Sequence, residues 1–118
     1  MSWLDTPSLN NLERYVNLSA FREELVAGNI ANVDTPHYRT VDIDFKSELR
    51  RALAGAPAEL FKPKVQEVKG LIERPDGNNV SMDREGTLLA ETQLQFRIGV
   101  QLLCDRYHLL LTAINEGK

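Results

Sequence analysis

"NIANVDTPHYR", Asn29 to Arg39, is the stretch on which the reading of this 118-residue chain turns. Two asparagines stand three residues apart where a helix must stop. Pro36 and the Asp-Thr before it disfavour further α geometry. Asn29, Asn32, Asp34 and Thr35 therefore crowd hydrogen-bonding side chains at one helix exit. Two uses fit that crowding. In the first, both amides bond back to the last helix carbonyls and Asn32 is a left-handed cap. In the second, the amides cross to a neighbouring helix and set its register, as a polar residue in an apolar seam does. Gly28, just before them, leaves room for another backbone.

Upstream of that exit the pattern is helical. Thr6 is placed to cap, with Pro7 at the first helical position. Leu9, Leu12, Val16, Val26 and Ile30 share a face, interrupted by Ser19 and Glu23, and Leu18, Phe21 and Leu25 form an adjacent stripe. Downstream, residues 33–80 change character and hold Pro36, Pro57, Pro63 and Pro75, four of the five prolines. Val41, Ile43 and Phe45 alternate with Asp42 and Asp44, a short extended pattern whose acids read as the solvated side of a half-buried strand. Asp44 then caps a brief helix with Phe45, Leu49 and Leu53 on one face, ending at Gly55. The remainder reads as irregular, with one hairpin and a Pro75-Asp76-Gly77 turn.

From Ser81, a good N-cap with Asp83 and Glu85 behind it, a long helix runs toward a stop at Gly117. Leu89, Phe96, Leu103 and Leu110 repeat every seven residues, and Val100, Tyr107 and Ile114 add a second position, the pattern of a coiled-coil seam. Leu88, Ile98, Leu102 and Leu109 form another stripe. Gly86 inside this helix costs about 0.8–1 kcal/mol relative to alanine. The expected fold is mainly α: residues 1–32 and 81–118 pair as an antiparallel coiled-coil-like hairpin, and residues 33–80 form a partly extended connector with a short strand, a short helix and loops. At about 1.5 Å per residue the final helix spans roughly 50 Å and the first roughly 40 Å. A single pair buries one seam per helix, and these helices carry more than one. The surplus apolar surface must meet the central segment or other subunits.

Composition excludes several function classes. Hydrophobic residues make up 42% and charged residues 26%, unlike a disordered chain. The net charge is -3 and no basic tract exceeds Arg50-Arg51, so nucleic acid is not the partner. Aromatics are 7%, which favours aliphatic helix packing. One cysteine, Cys104, permits no internal disulfide and leaves the compartment open. No apolar run approaches the ~20 residues that cross a bilayer. Met1 to Asn10 lacks the core of a cleaved signal peptide, so any export is expected to use another route. Cys104 and His108 stand one helical turn apart, but a zinc site needs a third ligand and only His37, in the turn, remains. Asp42 and Asp44 lack a pocket and an orienting partner for acid–base work. No phosphate loop or nucleophile elbow occurs, so neither an enzyme, a cofactor nor a small-molecule substrate is expected.

"GNIANVDTPHYRTVDIDF", Gly28 to Phe45, closely resembles the signature of the flagellar rod and hook axial proteins, whose first helix ends in Asn-Ile-Ala-Asn-x-x-Thr-Pro-Gly-Tyr. "DIDFKSELRRAL", "DGNNVSMDRE" (Asp76 to Glu85) and the ending "QLQFRIGVQLLCDRYHLLLTAINEGK" resemble the proximal-rod branch in particular. The likeness covers Leu12–Leu53 and Asp76–Lys118, and Ala54–Pro75 matches nothing. The Asn-rich, Met-rich final helix of the sibling rod and hook proteins is absent. His37 replaces the usual glycine, at a steric cost if the position needs φ > 0.

The resemblance implies a non-enzymatic subunit whose paired terminal helices pack with many copies into a rod linking the MS ring to the axial drive shaft. It implies as partners further copies, other rod proteins, the adaptor FliE, the MS ring and the flagellar type III export gate, and it places the protein in the periplasmic rod of the basal body. Asn29, Asn32, Thr35, Pro36 and Tyr38 become the expected subunit-packing motif, and Phe45 with Leu49 matches a Phe-x-x-x-hydrophobic export-gate motif. A soluble helical adaptor dimerising through its C-terminal helix is the competing reading.

Overall fold

Residues 9–30, with their helical spacing, close into α1, Pro7–Ala31, in a computed structural model that describes residues 7–55 and 57–116. The Thr6 cap and the Gly117 stop lie outside the described residues. α3, Met82–Glu116, is the longer partner, with 35 residues against 25. Ser81 caps it as expected: the Arg84 N–H donates to Ser81 Oγ at 3.2 Å. The helix runs through Gly86 without a break, and an added Cβ there would meet nothing. Nothing in the structure explains that glycine.

The two helices are antiparallel. Tyr107 OH donates to Glu13 Oε1 at 3.0 Å, Gly99 lies against Tyr15 and Val16, and Asn29 meets Glu85. Numbers rise along one helix as they fall along the other. The line of α3 that is wholly buried is Glu85, Thr92 and Gly99, a heptad of small and polar residues. At Gly99 a Cβ would stand 2.7 Å from Val16 Cγ2, so the helices approach where only glycine fits. The apolar heptad runs along one flank of this line. Phe96, Val100, Leu103 and Leu110 are half-buried there, and Tyr107 and Ile114 are exposed.

The connector folds onto one side of the pair. β1, Val41–Asp42, pairs antiparallel with β2, Gln66–Glu67, with Val41 opposite Glu67 and Asp42 opposite Gln66. The hairpin expected within residues 62–79 does not form, because β2 takes its partner from beside the helix exit instead. α2, Phe45–Ala52, is capped by Asp44, whose carboxylate accepts from the Ser47 N–H. Leu53 caps its other end and Gly55 follows at φ 102°. α2 docks on α1 through a perpendicular Tyr15–Phe45 ring contact at 5.8 Å and through Arg14 Nη1 donating to Ala52 O at 2.7 Å. A 3-10 turn, Ala58–Leu60, leads into the strap before β2.

The molecule measures 68 × 25 × 18 Å. Its radius of gyration is 18.1 Å, against about 13–14 Å for a compact chain of this length. It exposes 7877 Å² of surface, where a compact monomer of this mass exposes about 6,500 Å². Among the described residues the buried apolar ones are Leu18, Val26, Ile43, Ala52 and Val80, and buried polar residues outnumber them.

Candidate functional site

The helix exit and the start of α3 meet in a cluster of polar side chains at one end of the molecule. Asn29 is wholly buried at its centre. Its Nδ2 donates to Glu85 Oε1 and to Val41 O, both at 2.8 Å. Its Oδ1 accepts from Tyr38 OH at 2.9 Å and from the Val41 N–H at 3.2 Å. One amide thus joins α1, the turn, β1 and α3, with every donor and acceptor used. Of the two uses open to the asparagines, Asn29 takes the crossing one, within its own chain. Asn32 takes the local one: its Nδ2 bonds back to Gly28 O at 2.8 Å, and its Oδ1 accepts from Thr35 Oγ1 at 3.0 Å. Its backbone is not left-handed, since His37 alone holds positive φ among the described non-glycine residues.

A ring of charge surrounds Asn29. Arg22 grips Asp42 with two parallel bonds, Nε to Oδ1 and Nη2 to Oδ2, both at 3.0 Å. Arg84 Nη2 donates to the same Oδ2 at 2.7 Å, while its Nη1 reaches Glu85 Oε2 at 2.6 Å. The Ile43 N–H adds a bond to Asp42 Oδ1 at 2.7 Å. Asp42 is therefore buried, not on the solvated side of a strand, because two arginines and a backbone amide stabilise its charge away from water. Burial pushes its carboxyl up, but the bonds from Arg22, Ile43 and Arg84 outweigh this and hold it below the ordinary carboxylate range. Hydrogen bonding to Asp42 raises Arg22 in turn. Burial, and then the nearby Glu85, push the Tyr38 phenol up. Asp44 stays exposed and serves as the α2 cap.

Residues 76–80 close the cluster from the other direction. Asn78 Nδ2 donates to Asn32 O and to Thr35 O, both at 2.9 Å, and its Oδ1 accepts from the Val80 N–H at 2.8 Å. Asn79 Oδ1 accepts from the Thr40 N–H at 2.7 Å and from Thr40 Oγ1 at 2.9 Å. Arg74 donates to Val33 O and Val80 O. Carbonyls of the turn just past α1, at Asn32, Val33 and Thr35, thus find partners some 40 residues away in the chain. His37, at φ 65°, and Gly77, at φ 84°, sit back to back, and the His37 N–H donates to Asp76 O at 2.9 Å. A Cβ on Gly77 would stand 2.6 Å from His37 Nδ1, so the glycine makes room for the histidine that fills the turn.

Asn29, Asn32, Thr35 and Tyr38 are tied into one hydrogen-bonded cluster within the chain, with Thr35 and Pro36 exposed. Arg22, Asp42, Asn78, Asn79, Arg84 and Glu85 are among the members that sequence reasoning missed. "DGNN" just before a helix cap was the available signal for two of them. Phe45 is half-buried between Tyr15 and Arg22, and Leu49 lines an apolar groove with Leu12, Leu53 and Ile98. Among the described residues no three of His, Cys, Asp and Glu are grouped to hold a metal ion, and no helix is long and apolar enough to cross a membrane. The carboxylates of the cluster are saturated by arginine and amide donors. That is the chemistry of a structural clamp, which fixes the angle and register of two helices.

No family model matches the chain. It is 34% identical over 123 residues to the flagellar basal body rod protein FlgB of Escherichia coli (strain K12), covering 87% of this chain and 89% of that protein. Likeness to the FlgB of Cereibacter sphaeroides is 38% over 105 residues, covering 79% and 82%. The FlgB of Bacillus subtilis (strain 168) is 26% identical over 125 residues, covering 94% and 95%.

Proposed function

The chain belongs to the FlgB family of flagellar basal body rod proteins, and from that premise we propose that it polymerises into the proximal rod, joining the MS ring to the rest of the axial drive shaft. Its partners in this reading are further copies, other rod proteins and, at the rod base, FliE and the MS ring. It performs no catalysis and needs no cofactor. It reaches the periplasm through the flagellar type III apparatus, without a cleaved signal peptide. Phe45 and Leu49 serve the export gate while the chain is unfolded, since folding packs Phe45 against Tyr15. The packing motif around Asn29 and Asn32 supports assembly by holding the two helices at the angle that neighbours must meet.

One observation carries this reading. α3 leaves Leu94, Ile98, Leu102, Leu109, Leu111 and Ile114 exposed along a molecule that is already elongated. Apolar residues repeated along a helix without a partner are surface for other subunits. Replacing Leu103 or Leu110 by Asp is expected to abolish rod assembly in cells while secretion of the chain continues. Normal rods built from either variant would refute the reading. Sedimentation of purified protein separates it from a closed dimer, which shows one fixed mass at all concentrations.

A further inference from the structure

Between α1, α2 and the strap lies a cavity of about 150 Å³, lined by Leu18, Phe21, Ala58, Phe61 and Pro63, with Arg14 as its charged member. Its outer wall is pinned. Glu48, buried on α2, accepts from Arg51 Nη2 at 2.6 Å and from the Lys64 N–H at 2.9 Å. Arg51 Nη2 also donates to Lys62 O at 2.8 Å, and its guanidinium carbon lies 4.7 Å from the centre of the Phe61 ring. The cavity is therefore preformed. An apolar cavity of ~150 Å³ admits a benzene-sized group, and the side chain of isoleucine is smaller. Ile72, 89% exposed, is the most exposed large apolar side chain among the described residues. Its base is held as well, because Arg74 donates to Val33 O and Val80 O. Phe21 in the cavity and Val33, to which Arg74 is tied, stand roughly 18 Å apart along α1, so Ile72 cannot fill the cavity of its own chain.

We propose that Ile72 of one copy enters the cavity of the next, with Glu73 beside it facing Lys62 and Lys64. This rests on the polymer reading and names one of its contacts. Charge selects the occupant. Around the cavity the exposed bases Lys46, Arg50, Arg51, Lys62 and Lys64 outnumber the exposed acids Asp44 and Glu59. At the end of the molecule that carries Ile72, the exposed acids Asp34, Glu73, Asp76 and Asp83 outnumber the exposed bases Arg39 and Lys69. Arg39 meets Glu73 at 3.6 Å, but both side chains are exposed, and such a pair is held weakly enough to yield to a neighbour. The two surfaces differ in shape and in sign, so the contact is heterologous. Each copy keeps one free cavity and one free Ile72, and addition continues without closure unless a ring forms. The apolar side chain supplies the anchor, while the surrounding charges set the orientation and oppose the pairing of two like surfaces.

Cysteine pairing tests it on the full-length chain with Cys104→Ser as background. Ile72→Cys and Ala58→Cys chains, mixed and oxidised under assembling conditions, are expected to form mixed disulfide dimers in excess of either self-pair. The double variant is expected to give a ladder. Ile72→Asp, at a site exposed in the single chain, should leave the urea midpoint unchanged and slow assembly about tenfold. Lys62→Glu with Lys64→Glu should slow it comparably, and Glu73→Lys added to them should restore it. Chains that sediment as polymers but give only self-pairs, or that assemble at the parent rate with Ile72→Asp, would overturn this contact and leave the polymer reading standing. Parent chains that stay monomeric at every concentration would overturn both.

Discussion

The two ends of the molecule are built on opposite principles. Around Asn29 the chain buries amides, carboxylates and hydroxyls and satisfies them internally, so that end needs nothing from outside. Along the far half of α3 the chain exposes leucines, with Leu109 64% and Leu111 58% accessible, and pairs few of them. Hydrogen-bonded polar groups specify geometry strongly, because a wrong register leaves each of them unpaired in a place water cannot reach. Exposed aliphatics specify little by themselves and gain most when another surface arrives. One end sets the shape of the subunit, and the other is left for its neighbours. The contrast also explains why an elongated chain with so small an apolar core holds a defined helix angle.

The most severe way to break this contrast is at its centre. Asn29→Ala removes the partners of Glu85, Tyr38 and Val41 together and should cost about 3–5 kcal/mol. Urea unfolding of the purified chain measures it, and a loss below about 1 kcal/mol would mean the cluster is ornamental. Asp42→Asn is the next largest, at about 2–3 kcal/mol, because it strips the shared counter-charge from Arg22 and Arg84. Its sign with pH follows from the lowered carboxyl. The stability due to Asp42 is complete above the ordinary carboxylate range of the unfolded chain and is lost as pH falls through the lower folded value. Acid titration should therefore show a steep low-pH limb in the parent chain that is weaker in the variant.

A smaller change of opposite sign is expected at the turn. His37 holds a left-handed conformation that glycine adopts freely, so His37→Gly should stabilise by about 0.5–1 kcal/mol, read as a higher urea midpoint. The smallest effect belongs to the far end. Leu109→Ser should shift the folding stability of the isolated chain by less than about 0.5 kcal/mol. If it destabilises as much as Asn29→Ala, the two ends do not differ as described.

Much of this was legible in the residues. The spacing of Leu9 to Ile30 and of Leu89 to Ile114 marked both long helices, and Ser81, Asp44 and Pro36 marked where elements start or stop. These signals are local, since caps, turns and periodicity act within a few residues of themselves. The clamp was half legible. Asn29 and Asn32 stand out at the helix exit, but the local pattern makes Asp42 a solvated acid and Glu85 a charge suited to a helix dipole. Nothing local distinguishes a carboxylate that faces water from one that meets two arginines from distant segments.

The same limit governs the seam. Periodicity selected the leucines and Phe96, whereas the closest approach runs through Thr92 and Gly99, because small residues let backbones near and carry no hydrophobic signal. From its residues alone the protein was determined to be a long helical pair with apolar surface to spare. Only the tertiary structure decided which polar groups would be buried, since a buried charge is tolerable solely where folding delivers its partner. It also decided which side of the pair the connector would cover, because that depends on contacts between segments far apart in the chain.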